Sequence, residues 1–219
     1  MIKRHRRTRA GAAALLAALV GCAAPEPRLS EESIDGLQRV ENAALGAVFL
    51  RPDAQLGSYE ALWIRPLQIY FRRQPRASRG EFPLSEEQER RLADLFQEVF
   101  REELAGGGGL RLAAGPGAGV LELEPAIANL VVTAPPEPRG AGSFVLIQQT
   151  ADLTLVAELR DAESGELLAR VADRRIARRG AGGAYESTPI NNRAAVRQVF
   201  RHWATRMRAG LERARELGF

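Results

Sequence analysis

The side chains able to do chemistry are few, and their spacing limits what that chemistry can be. The 219 residues hold two histidines, His5 and His202, and a single cysteine, Cys22. A Ser/His/Asp or Cys/His nucleophile system needs a base that titrates near neutrality. Past the first 21 residues only His202 qualifies, and its place in a helical pattern beside Trp203 predicts a residue at the margin of a core, not a general base. One histidine cannot furnish the three or four ligands of a zinc site. Glu122 and Glu124 share one strand face two residues apart, and Asp152 and Glu158 share another more distantly. A glycosidase holds its two carboxyls across a cleft at about 5 to 10 Å. Neighbours on one face do not straddle a substrate, so these carboxylates are expected on a solvated face. Asp173-Arg174-Arg175 reads as surface ion pairs of small value. The glycines at 106–109 follow a helix and lack the Gly-Lys-Ser/Thr ending of a phosphate loop. No catalytic residue, cofactor site or metal site is predicted, and the chain is expected not to be an enzyme.

Cys22 has a more specific setting. The basic run Lys3-Arg4-His5-Arg6-Arg7-Thr8-Arg9 precedes the apolar stretch Ala10 to Val20, which ends in Leu19-Val20-Gly21-Cys22-Ala23-Ala24. This is the layout of a secretory signal. About eleven apolar residues span roughly 16 Å as a helix, half a hydrocarbon core, so the stretch is too short to be a transmembrane anchor. Its ending resembles the lipobox of bacterial lipoproteins, with Cys22 in the invariant slot. That resemblance implies lipidation at Cys22, and Ala23 in place of aspartate is similar to the pattern that permits outer-membrane sorting. The expected location is the outer membrane, lipid-anchored and facing the periplasm.

The anchor reinterprets the composition. The formal charge of +4 and the pI near 9.9 suggest a nucleic-acid binder. Losing Lys3, Arg4, Arg6, Arg7 and Arg9 with residues 1–21 leaves 198 residues carrying 26 basic and 27 acidic side chains. A net charge near zero removes the case for nucleic acid. With Cys22 acylated, no second cysteine remains for a disulfide, and the core must hold the fold unaided.

The elements follow from periodicity. Residues 22–45 read as a tether, proline-rich at first and then a loosely structured arm, ahead of a domain at 46–219. Ala47 to Leu50, closed by Pro52, predicts an edge strand. Tyr59 to Phe71 is dense in aromatic and β-branched residues and predicts a strand ended, bulged or edged by Pro66. Arginines between 72 and 79 give a basic loop expected to be solvated. Ser85 with Gln88 forms a capping box for a helix whose apolar face is Leu92, Leu95, Phe96, Val99 and Leu104. Val120 to Glu124 alternates and continues past Pro125 to Val132. The strand running to Asp161 alternates Leu153, Leu155, Ala157 and Leu159 against polar residues, turns at Gly165 and returns through Leu167, Ala169 and Val171. A final helix, capped at Asn191 or Asn192, aligns Val196, Val199, Phe200, Trp203, Met207 and Leu211. The predicted fold is α+β, a single domain with a mainly antiparallel sheet of about five or six strands and two amphipathic helices packed on one face.

Several stretches in this order are similar to an uncharacterised family of Gram-negative lipoproteins, domain of unknown function 3313. They are Leu50-Arg51-Pro52-Asp53, the segment from Leu56 to Leu67, Leu84-Ser85-Glu86-Glu87, the segment from Val156 to Glu166, and Trp203-Ala204. The resemblance covers roughly residues 30 to 215. It implies an envelope location and a fold, and it carries no active-site residue. The element order is also similar to the periplasmic domains of curli-export and transport-accessory lipoproteins. The expected role is a non-catalytic binding or structural domain. Its partners are membrane lipid through acylated Cys22 and an envelope protein, with no nucleic acid. The alternative is an accessory subunit of an envelope transport or secretion assembly, and an envelope hydrolase stands behind both.

Overall fold

The hairpin predicted around Gly165 lies at the centre of the molecule. Its two arms are Ala151–Asp161 and Leu167–Ala177, paired antiparallel with Val171 opposite Ala157 and Asp173 opposite Leu155. Asp161 closes the turn by accepting from the backbone N–H groups of Glu163 (3.0 Å) and Ser164 (2.7 Å), and Gly165 takes a φ of +75° that a side chain would strain.

The fold is that of a computed structural model describing residues 27–72, 76, 79–105, 110–135, 145–180 and 183–219. In chain order its strands are β1 (Arg28–Ile34), β2 (Leu37–Glu41), β3 (Ala47–Leu50), β4 (Ala61–Ile64), β5 (Gln68–Phe71), β6 (Arg111–Leu112), β7 (Val120–Val132), β8 (Leu146–Ile147), β9 (Ala151–Asp161), β10 (Leu167–Ala177) and β11 (Tyr185–Glu186). The helices are α1 (Glu86–Ala105) and α2 (Pro189–Glu216). Nine strands make one sheet in the order β1-β2-β3-β10-β9-β7-β4-β6, with β5 also on β7, while β8 and β11 form a separate pair.

The sheet is therefore larger than the expected five or six strands, and it is mixed. β4 and β5 run parallel to successive halves of β7, and β6 runs parallel to β4. The reason is the connection: α1 carries the chain back across the sheet between β5 and β6, and a helical crossover returns the next strand in the same direction. Pro66 falls in the break between β4 and β5, where no ladder donor is needed.

A second difference lies at the other edge. Ala47 to Leu50 is not an edge strand, because β2 pairs with one side of β3 and β10 with the other. The arm expected to be loosely structured folds from Arg28 onward into the β1–β2 hairpin, and Leu37 is fully buried. Asp35 and Gly36, at φ of 51° and 77°, make the two-residue turn that twists the strands correctly.

Ser85 and Gln88 cap α1 reciprocally. The Ser85 N–H donates to Gln88 Oε1 (2.8 Å) and the Gln88 N–H donates to Ser85 Oγ (3.3 Å). The cap of α2 is Thr188, not Asn191 or Asn192, because Pro189 at the first helical position needs no donor partner. Thr188 Oγ1 accepts from the Asn191 N–H at 3.1 Å. Both helices lie on the sheet face built from Leu121, Leu123, Ile127, Leu153, Leu155 and Leu159, in one continuous core. Phe96, Phe100, Phe200 and Trp203 are its largest buried side chains, with Phe96 edge-on to Phe200 at 5.3 Å. Glu98 meets Arg193 and Arg197, and Glu103 meets Arg201 and Thr205, so the helices run side by side in the same direction.

Candidate functional site

Cys22, the one residue assigned a chemical role from sequence, lies outside the described residues, as do the glycines at 106–109. The other candidates fall in three places.

The first is the sheet face away from the helices. Glu122 and Glu124 do share it, as their spacing requires, but they are not a free pair. Arg65 Nη1 donates to Glu122 Oε1 at 2.6 Å and stands 3.7 Å from Glu124 Oε1. Arg160 bridges Glu124 (3.1 Å) and Glu158, and Arg170 joins Glu158 (2.8 Å) to Asp35 (2.8 Å) in the β1–β2 turn. The result is an alternating ladder, Glu122–Arg65–Glu124–Arg160–Glu158–Arg170–Asp35, that crosses the strands. The face is thus less solvated than expected, and Glu122 is only 7% exposed. Strand alternation puts residues of the same parity on one face, so the repeated Glu and Arg of β7, β9 and β10 meet across the ladder. Arg65 also lies over the Trp63 ring at 5.0 Å. A separate cluster forms around Asp152, which accepts from Arg174 and, at 3.2 Å, from Arg72. The hydrogen bond from Arg174, opposed by burial, holds the Asp152 carboxyl below its ordinary value. Arg72, expected in a solvated basic loop, is engaged there.

The second place is beneath α2. Asp173, expected in surface ion pairs, is 6% exposed on the helix side of the sheet. Its Oδ2 accepts from Trp203 Nε1 (2.8 Å) and Arg175 Nε (2.7 Å), and its Oδ1 accepts from the Gly46 N–H (2.9 Å). A buried carboxylate holding three donors ties α2, β10 and the β2–β3 connection together. His202 is close by. Its Nε2 is buried without a hydrogen-bond partner, and burial, reinforced by Arg175 and Arg206 and opposed by Asp173, holds the imidazole below its ordinary value. Tyr59 donates to Asp161 Oδ2 at 2.9 Å, and burial together with that carboxylate pushes the phenol up to about 12.

The third place was not visible in the residue pattern. A cavity of about 260 Å³ lies between the C-terminal half of α2 and the strands β1 to β3, with almost wholly aliphatic walls. A second hollow, of about 480 Å³, lies by the start of both helices. Two of its polar groups pair, Thr150 Oγ1 donating to Asn192 Oδ1 at 3.2 Å and lying 2.7 Å from the Tyr185 hydroxyl. Among the described residues no three His, Cys, Asp or Glu side chains converge as metal ligands, and no helix is long and apolar enough to cross a membrane.

These features define a single-domain α+β protein, with two helices on one face of a nine-stranded mixed sheet and an ion-paired opposite face. The family model for proteins of unknown function DUF3313 matches residues 28–207, and the chain belongs to that family. A comparison with the curated proteins finds no match. Among solved structures, the chain is similar to the PelC dodecamer from Paraburkholderia phytofirmans at 11% identity. That match has a TM-score of 0.39 and covers 74% of this chain and 96% of that one. It is also similar to a DUF330 protein from Xanthomonas campestris, at 13% identity and a TM-score of 0.44, over 75% and 91% of the two chains. A protein from Caulobacter crescentus provisionally described as a lipoprotein gives 15% identity and a TM-score of 0.30, over 74% and 92%.

Proposed function

We propose that this chain is an envelope lipoprotein, acylated at Cys22 and held at the outer membrane. Its periplasmic domain then acts as a non-catalytic binding or structural module. The observation that carries the reading is the sequence Leu19-Val20-Gly21-Cys22-Ala23, which lies six residues ahead of the first strand at Arg28. So short a tether keeps the domain against the membrane surface, since six residues reach about 20 Å at most. Several acyl chains on one cysteine would anchor stably where one would not. The non-catalytic part draws support from the sheet face, where arginines engage each ladder carboxylate as an ion-pair partner.

Metabolic labelling with radioactive palmitate followed by density fractionation of membranes tests the reading. Label should enter the wild-type chain and track with outer-membrane markers, and Cys22→Ala should take up none. Absence of label from the wild type, or its retention in Cys22→Ala, would overturn the proposal.

A further inference from the structure

The geometry points to an occupant for the aliphatic cavity: one of the acyl chains carried by Cys22 of the same molecule. This rests on the proposed acylation of Cys22. The walls include Leu29, Val40, Val48, Val171, Met207 and Leu211, which come from β1, β2, β3, β10 and α2. Such a space suits an unbranched hydrocarbon, because its apolar walls are removed from water and gain dispersion contacts when an apolar guest covers them.

Where α2 lines the cavity it carries small residues, Ala209, Gly210 and Ala214. Gly210 lies inside the helix, lines the space, and a Cβ added there would meet nothing within 4 Å. A glycine in a helix interior costs about 1 kcal/mol relative to alanine. A Cβ would fit without clash, so what the glycine provides at this position is room.

The nearness of the chain's start to the cavity selects the guest. Pro27 and Arg28, where the described chain begins, line the cavity. Cys22 is five residues before Pro27, a span of at most about 18 Å even when fully extended. An acyl chain on Cys22 therefore starts within about 18 Å of the cavity wall. With several chains on the cysteine, one can be sheltered while the others keep the protein anchored. Arg28 and Arg206 also line the cavity, and their charges could receive a phosphate, which makes a bilayer phospholipid the competing guest.

Methionine occurs only at positions 1 and 207, so after removal of residues 1–21 Met207 is the sole site that takes up a methionine analogue. The full chain, grown with photo-methionine and left in its native membrane, is irradiated, digested and weighed by mass spectrometry. The expected product joins the Met207 peptide to an acyl chain of the peptide that begins at Cys22, and Gly210→Leu should abolish it. A Met207 peptide joined to phospholipid or free fatty acid, or carrying no lipid at all, overturns the assignment. The wild-type result stands whether or not the variant folds. The same digest separates the two claims: an unacylated Cys22 peptide removes the anchor itself, whereas an acylated Cys22 peptide never joined to Met207 removes only this inference.

Discussion

The indole N–H of Trp203 donates to the carboxylate of Asp173 across 2.8 Å, and both side chains are buried between α2 and the sheet. Asp173→Ala would leave the Trp203 and Gly46 donors without partners in a dry site. The expected loss is about 3 kcal/mol, within the range for orphaned buried polar groups. Asp173→Asn, which keeps one acceptor oxygen, should lose clearly less. Urea unfolding followed by tryptophan fluorescence reads both.

Gly46 approaches the same carboxylate so closely that an added Cβ would sit 2.9 Å from Asp173 Oδ1 and 3.1 Å from the Ala172 carbonyl oxygen. One of these contacts is backbone and cannot move away cheaply. Gly46→Ala should therefore cost about 1 to 3 kcal/mol as an overpacking effect, and Gly210→Ala, in open space, should be neutral or stabilising. The pair of midpoints in one denaturation series checks the contrast.

The charged ladder should behave as a coupled unit. Glu158 stands between Arg160 and Arg170, with side chains 21 to 30% exposed. Glu158→Gln should cost about 1 kcal/mol, the upper end for pairs of this exposure. A double-mutant cycle with Arg170→Gln should give a coupling of a few tenths of a kcal/mol or more that shrinks in high salt. Additive effects at every salt concentration would show the pairs to be independent of each other.

His202 shapes the pH dependence just below neutrality and Tyr59 its alkaline end. Burial holds His202 below its ordinary 6.5, so an unfolded chain takes up this proton first as pH falls. The stability it contributes is complete above about pH 6.5 and is lost as pH falls toward the lower folded value. His202→Gln should flatten that slope. Tyr59 runs the other way: its phenol is pushed up to about 12 in the fold, so its contribution is complete below about pH 10 and is lost as pH rises toward 12. Tyr59→Phe should remove the alkaline part of the pH–stability curve measured by thermal unfolding.

The hairpin, both helices and most of their apolar faces, Phe100 excepted, were legible in the residue pattern, because alternation in Leu153 to Leu159 and the 3.6-residue spacing of Val196 to Leu211 are local signals. What depends on pairing between distant segments was not. The parallel seam of β4 and β5 on β7 follows from the α1 crossover, which no local pattern records. The β1–β2 hairpin did carry a signal, the Asp35-Gly36 turn, but Arg28 to Ile34 holds few apolar residues and so reads as a polar arm. Asp173 looked like a surface charge because its indole partner lies 30 residues away. The cavity had no signature beyond small residues in α2, and only the packing of several strands against them makes a space.

Whether Cys22 anchors this domain to a membrane is read from the intact mass of the protein extracted from its native envelope. The expected mass is that of a chain that begins at Cys22 and carries two or three acyl chains. A mass matching the unmodified chain from Met1, or one cut elsewhere with a bare Cys22, would contradict it.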